Sequence, residues 1–573
     1  MLHGVAGALV LVFGVQIYTE SRCKSPTSDE PPHIASGLSY VETGVFRGNP
    51  QHPPLLKELS GLSMVLGGVR WTRDEVTERF LRGDIPREAQ PEWQIGDHII
   101  AYGGPDRVLF WARLPFLLIA CGLGFLIYRW GSQMMGAPAA LCALLLFTLD
   151  PTILGHSYLV TMDIGLAAFS ILFLFAVWNY IDRPGALRLA LCGLALGAVL
   201  CAKFSAVLLL PVAPALLLAA VIWPAASPVG GKRSVWDPYH AWKAAVAVKP
   251  RKAKRASGAN ADSNPWSLKR RLVLAACAFL GMCAVAVVVI QAVYFFPKDF
   301  LAYYHGLQLV NADHNPDFEA FMAGGFQHRF ASYFAVAYLL KEPVAIIALA
   351  AIGMAVLIGS KRISRVSKLF VIVPPLVMFA GHTLWADDAG VRYIMTVFPF
   401  AHLLGGLGLA TLLAARKKWV VGVALALSGW AVLADAGVYP DHLSYFNEIA
   451  CALREPSHIG LDGGTRCGPA WLGDSNVDWG QGLKQLKAWL DRNAKGRVVT
   501  IENPFGFPPA AYGIDARPMT VDELMHHPPP GLYAISSHAV ACLGPGSTMD
   551  NWPQTISPVA IVGHAFYIYD IPR

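Results

Sequence analysis

Charge is the scarce ingredient of this chain. Only 15% of its 573 residues are Asp, Glu, Lys or Arg and 54% are hydrophobic, where a soluble domain carries about 25% charged residues. A soluble multidomain protein is thereby excluded, and a polytopic membrane protein is implied. Zinc-site cysteine spacing is also missing: no two of the ten cysteines form a CxxC pair, and no His/Cys spacing resembles a zinc site. There is no internal repeat. The net charge of +7 does not mark a nucleic-acid partner, because the basic residues fall in short runs between apolar segments and not on an aromatic-interleaved face. The first apolar run lacks a basic leader and a small-x-small cleavage site, so it reads as a span and not as a removed signal.

A spanning helix needs roughly 17 to 25 apolar residues. By that measure eleven segments qualify: 2–18, 107–128, 137–154, 160–180, 186–202, 204–224, 272–296, 343–360, 369–385, 393–414 and 418–436. Lys and Arg concentrate in alternate loops, at Arg129, Arg183 and Arg188, the run Lys232 to Arg271, Lys361 to Lys368, and Arg416 to Lys418. Since short cytoplasmic loops hold the positive excess, the N-terminus is expected inside and the C-terminus outside. The chain then divides into a transmembrane part, 1–436, and an extracytoplasmic α/β domain, 437–573. The first part contains an external loop at 19–106, a basic cytoplasmic loop at 225–271 and a second external loop at 297–342. In the first of these loops, helical spacing predicts helices over His33 to Glu42 and Pro54 to Val69, lying in the interface plane as a roof. The C-terminal part reads as a helix from Gly482 to Arg492 and strands at Val498 to Glu502, Gly531 to Ser536 and Ala565 to Tyr569.

Ionisable groups at a membrane boundary are costly and so draw attention as functional candidates. Asp29 and Glu30 follow the first span directly, with Pro31, Pro32 and His33 behind them; the plain alternative is that Asp29 caps a helix begun by Pro31. The group Gln51-His52-Pro53-Pro54-Leu55-Leu56-Lys57 offers a histidine and a lysine, unless Lys57 merely snorkels. Asp163 stands at the outer start of a span, where helix capping is the alternative. Lys203 is the single charge between Leu189 and Pro224, and Arg392 precedes Tyr393 in an external turn. All five groups fall on one face of the membrane. Cys451 and Cys467 would lie in an oxidising compartment and are expected to pair, although a bridge from either to Cys542 is equally legal.

The order of Asp29-Glu30-x-x-His33, His52-Pro53-Pro54-Leu55-x-Lys57, Met162-Asp163, Lys203-Phe204-Ser205-Ala206, Arg392-Tyr393 and Asp474-Ser475-Asn476-Val477-Asp478-Trp479-Gly480-Gln481 resembles bacterial phospholipid-carrier-dependent glycosyltransferases. These form the protein O-mannosyltransferase-like branch (glycosyltransferase family 39) of the glycosyltransferase C superfamily, whose relatives include the lipid A aminoarabinose transferase. The resemblance covers nearly the whole chain and implies a polytopic glycosyltransferase C fold in the bacterial inner membrane. It also implies transfer of a sugar from a polyprenyl-phosphate donor to a lipid, glycan or protein acceptor on the outer face. Asp29 then matches the acid assigned as base or acceptor-orienting group, and Asp163 matches the second acid. Lys57, Lys203 and Arg392 are candidates for the donor phosphate, with Glu30, His33 and His52 in support. No organic cofactor is expected, and a divalent metal stays open, with His33, His52 and Glu30 as one mixed set. The basic loop at 225–271 and the Cys451 to Cys467 insertion depart from the family pattern. A transporter or flippase of a lipid-linked or anionic solute is the rival reading; it is disfavoured by the absent repeat and by charges gathered at one face instead of the midplane.

Overall fold

A computed structural model describes residues 2–223, 267–312, 317–504, 506–526, 528–542 and 552–572. The basic loop expected at 225–271 lies mostly outside the described residues. Each of the eleven apolar segments coincides with a helix, but they do not all have the length of a span. Among the described residues, seven helices are long and apolar enough to cross a membrane: Leu2–Cys23, Pro105–Met135, Met162–Asp182, Phe204–Ile222, Leu268–Val293, Arg365–Trp385 and Lys418–Val438. Val344–Gly359 qualifies only together with Tyr333–Lys341, across a bend of 108°. Ala137–Thr148, Ala186–Leu200 and Phe398–Leu413 are shorter; twelve residues rise about 18 Å against a hydrocarbon core of about 30 Å.

The shortening at Thr148 has a local cause. The 137–154 segment is split because Asp150 caps a new helix, Pro151–His156. Its Oδ1 accepts from the backbone N–H groups of Thr152 (2.8 Å) and Ile153 (3.3 Å), and Pro151 suits the first helical position.

The first external loop folds into helices Glu30–Thr43, Leu55–Leu66, Glu75–Arg82 and Pro91–Tyr102. The first of these is buried from Glu30 through Tyr40. It crosses Leu55–Leu66 with backbones touching, since a Cβ on Gly37 would fall 2.1 Å from Lys57 O and one on Gly61 2.2 Å from Gly37 O. Any side chain at either position would push the two helices apart.

Toward the C-terminus a five-stranded sheet runs in the order β4-β3-β5-β7-β6, after a hairpin of β1 (Ala320–Met322) and β2 (Gly325–Gln327). Strands β3 (Val499–Glu502), β4 (Ala516–Pro518) and β5 (Gly531–Ser536) are parallel, while β7 (Phe566–Ile571) pairs antiparallel with β5 and with β6 (Ala560–Val562). A disulfide joins Cys451 to Cys467, with Cα atoms 5.2 Å apart. Cys542 is a free thiol.

A charged clamp fastens the first helix to Lys418–Val438. His442 Nδ1 donates to Glu20 Oε2 at 2.6 Å and Nε2 to Asp435 Oδ1 at 2.8 Å, a bonding pattern that needs the imidazolium. Burial opposes the charge, yet Glu20 and Asp435 hold the His442 pKa up to about 10. Because the folded value lies above the unfolded value of about 6.5, this contribution to stability is complete below about pH 6.5 and is lost as pH rises through 10. Thermal midpoints of the detergent-solubilised protein should therefore fall between pH 7 and 10, with a flatter slope in His442→Gln.

Candidate functional site

The two neighbouring acids face opposite ways. Glu30 turns inward, fully buried, and Arg113 grips it with two bonds, Nε to Oε1 at 2.8 Å and Nη2 to Oε2 at 2.6 Å. The same carboxylate accepts from the backbone N–H groups of Thr27 (2.9 Å) and Val160 (3.1 Å). Arg113 also donates to the carbonyls of Ser21, Lys24 and Ser25, which nails down the chain leaving the first helix. Asp29 occupies the N-cap position of Glu30–Thr43 but makes no capping bond. Its Oδ2 instead accepts from Arg392 Nη1 at 2.6 Å. Asp29 is 26% exposed and Arg392 13%, so this ion pair is within reach of a substrate while Glu30 is not.

A second pair stands beside the first. Lys203 Nζ donates to Asp163 Oδ1 at 2.7 Å, and the two cations share one aromatic ring: Lys203 lies 4.4 Å and Arg392 5.3 Å from the centre of Tyr393. Trp479 covers Arg392 on a further side at 4.2 Å. Burial works against the guanidinium charge, but Asp29, Tyr393, Asp163 and Asp474 together hold the Arg392 pKa above its usual value. Asp29, Asp163, Lys203 and Arg392, expected on separate loops and span ends, thus meet in one cluster around Tyr393.

Residues 474–481 strap this cluster together. Trp479 O accepts from Ser28 N at 2.9 Å and Gln481 O from Ser25 N at 3.1 Å, holding the Asp29 side. Asn476 Oδ1 accepts from Val391 N at 2.9 Å, and Ser475 Oγ donates to Ala389 O at 2.9 Å, holding the Arg392 side. One loop therefore sets the spacing of the acid and its cation. Within it, burial lifts the Asp478 pKa to about 7.

Two sequence expectations change here. Lys57 is fully buried, and its ammonium donates to Asn49 O (2.6 Å), His52 O (2.8 Å) and Tyr40 Oη (3.0 Å). Its bonds go to two loop carbonyls and to Tyr40 of helix Glu30–Thr43, and burial lowers its pKa to about 7; it anchors the loop and is poorly suited to a phosphate. The mixed metal set of Glu30, His33 and His52 is also not assembled, because Glu30 is taken by Arg113. His33 Nδ1 bonds Val160 O at 2.6 Å, with its ring 5.4 Å from that of His52, and burial lowers the His33 pKa to about 4. Both histidines are neutral packing partners behind Asp29. Among the described residues, the group of three His, Cys, Asp or Glu side chains close enough to hold one ion is a different one, Asp150, Glu342 and His402.

The fold so defined is that of a helical membrane protein with a charged cluster at the ends of its spans and a small sheet beside it. No family model matches the chain, and no curated protein matches it. Among solved structures it is similar to ArnT from Cupriavidus metallidurans bound to undecaprenyl phosphate, at 13% identity and a TM-score of 0.44, covering 99% of this chain and 98% of that one. ArnT in the apo state gives 12% identity and a TM-score of 0.47 over 99% and 98%. The apo oligosaccharyltransferase of Archaeoglobus fulgidus gives 13% identity and a TM-score of 0.45, over 86% of this chain and 58% of that one.

Proposed function

We propose that the chain is an inverting membrane glycosyltransferase that moves a sugar from a polyprenyl-phosphate donor to an acceptor at the outer face of the membrane. The reading rests on one observation above all: a part-exposed Asp29–Arg392 ion pair placed beside Lys203–Asp163. Attack by an acceptor hydroxyl on the anomeric carbon forms the new C–O bond, breaks the bond to the phosphate oxygen, and releases a proton. Asp29 takes that proton or orients the hydroxyl that loses it. Inversion places this group opposite the leaving group. The departing phosphate carries the electron pair away and needs positive charge instead of a general acid. Arg392 and Lys203 supply it beside Tyr393 and Trp479, with the guanidinium held in place by its Nη1 bond to Asp29 and its Nε bond to Ala389 O. Asp163 keeps Lys203 aimed through its 2.7 Å bond to the ammonium.

The test is transfer of label from a polyprenyl-phosphate sugar to cell-envelope material by purified protein, which a transporter would not perform. Arg392→Ala should raise the KM for donor at least tenfold and lower kcat. Arg392→Lys should restore only part of this, because an ammonium cannot bond Asp29 and Ala389 O at once from a planar group as the guanidinium does. Wild-type donor saturation in Arg392→Ala would remove the phosphate assignment.

A further inference from the structure

A buried cluster away from Asp29 has no part in the transfer chemistry. Asp150 stands at the cap of Pro151–His156, Glu342 at the 108° bend before Val344–Gly359, and His402 in the second turn of Phe398–Leu413. Their side chains are 0% exposed, and one ligand atom from each lies within 4.8 Å of the other two. His402 Nε2 is 2.9 Å from Asp150 Oδ2 and 3.9 Å from Glu342 Oε1. Each residue is fixed by its own backbone or neighbours. The other oxygen of Asp150 caps the helix, and the Glu342 N–H and C=O bond Tyr338 O and Asn447 Nδ2. The His402 ring packs edge-on against Phe147 at 5.7 Å.

A second observation is independent of the clustering. No basic side chain or backbone N–H bonds either oxygen of the Glu342 carboxylate among the described residues; what it faces is the Asp150 carboxyl. An ionised carboxylate buried in that way costs several kcal/mol, and another carboxylate alongside makes it worse. Lys341 gives little relief, since its ammonium is bonded to Leu443 O (2.8 Å) and Asn476 O (2.6 Å) and lies over the Phe446 ring. Two things can settle such a pair of acids: a retained proton, or a cation between them.

We infer that Asp150 Oδ2, the Glu342 carboxylate and His402 Nε2 bind a divalent first-row transition cation. An imidazole with two carboxylates matches Zn2+ or Mn2+ better than Ca2+ or Mg2+, which prefer all-oxygen sets. The two negative charges balance the ion, and three protein ligands leave one position of a tetrahedron for water. Metal bonds of about 2.0–2.1 Å at tetrahedral angles put ligand atoms about 3.3 Å apart, so small side-chain adjustments complete the site. The cation would pin the bent arm Tyr333–Lys341. That arm reaches the strap directly, through Lys341 on Asn476 O and Tyr333 Oη accepting from Asn476 Nδ2 at 3.0 Å. Its role is to brace the strap from beneath, apart from the chemistry assigned to Asp29.

The full-length protein in detergent, stripped with a chelator, is titrated with Co2+ and then Zn2+. The expected result is one Co2+ per chain, with the visible absorption of a four-coordinate nitrogen–oxygen site that Zn2+ abolishes. Glu342→Gln and His402→Gln are each expected to weaken Zn2+ binding at least tenfold. Absence of stoichiometric uptake by the stripped wild type overturns the inference and leaves the acids sharing a proton. Undiminished uptake in both variants also overturns it. Should either variant fail to fold, the wild-type stoichiometry and Co2+ spectrum decide the question alone. None of these readouts depends on sugar transfer, so the site stands or falls separately from the proposed function.

Discussion

Asp29→Asn is expected to lower transfer about a thousandfold, within the range ascribed to a positioned general base, while the protein remains folded and inserted. The amide keeps the size of the carboxylate, and Arg392 keeps Trp479, Tyr393 and the nearby Asp163 as neighbours. What is lost is the ability to accept a proton. Labelled-sugar transfer beside size-exclusion behaviour in detergent makes the measurement, and a rate within tenfold of wild type would remove Asp29 from the reaction. Asp29→Glu serves as the companion variant: it retains the charge but extends it by a methylene, and should keep more activity than the amide.

The largest effect on stability is expected from Arg113→Met. This change leaves the Glu30 carboxylate buried with its two strongest bonds gone and frees three carbonyls of residues 21–25. Breaking a buried pair from one side costs about 3–5 kcal/mol. A sharply lower thermal midpoint and a lower yield of monodisperse protein should follow. The double variant Arg113→Met with Glu30→Leu should recover a substantial part of the loss, because the stranded charge disappears with its partner. A single variant as stable as wild type would show that the pair does not anchor the segment leading to Asp29.

Much of this site was legible in the sequence because charges are rare in it. Asp29, Asp163, Lys203 and Arg392 each interrupt an apolar stretch or follow one, and the cost of placing charge at a membrane boundary makes such interruptions informative. The same rule reaches Arg113, within Val108-Leu109-Phe110-Trp111-Ala112-Arg113-Leu114, which was nevertheless counted as part of a span. Lys57 misled for the opposite reason. Its fate depends on carbonyls of Asn49 and His52, and no local pattern announces that a loop will close on a lysine. Span lengths were overestimated where polar side chains cut an apolar run, as Asp150 does. Glu342 and His402 gave no signal as partners of Asp150, since 192 and 252 residues separate them from it and only the fold brings them together.

The strap at 474–481 fixes the order in which this machine can come into being. Asp29 precedes the membrane-length helix Lys418–Val438 in the chain, whereas the strap residues follow it. A nascent protein with its long helices inserted would still lack the backbone bonds that 474–481 makes to Ser25, Ser28, Ala389 and Val391 on either side of that pair. The surroundings of the pair are therefore completed by a segment made after those helices.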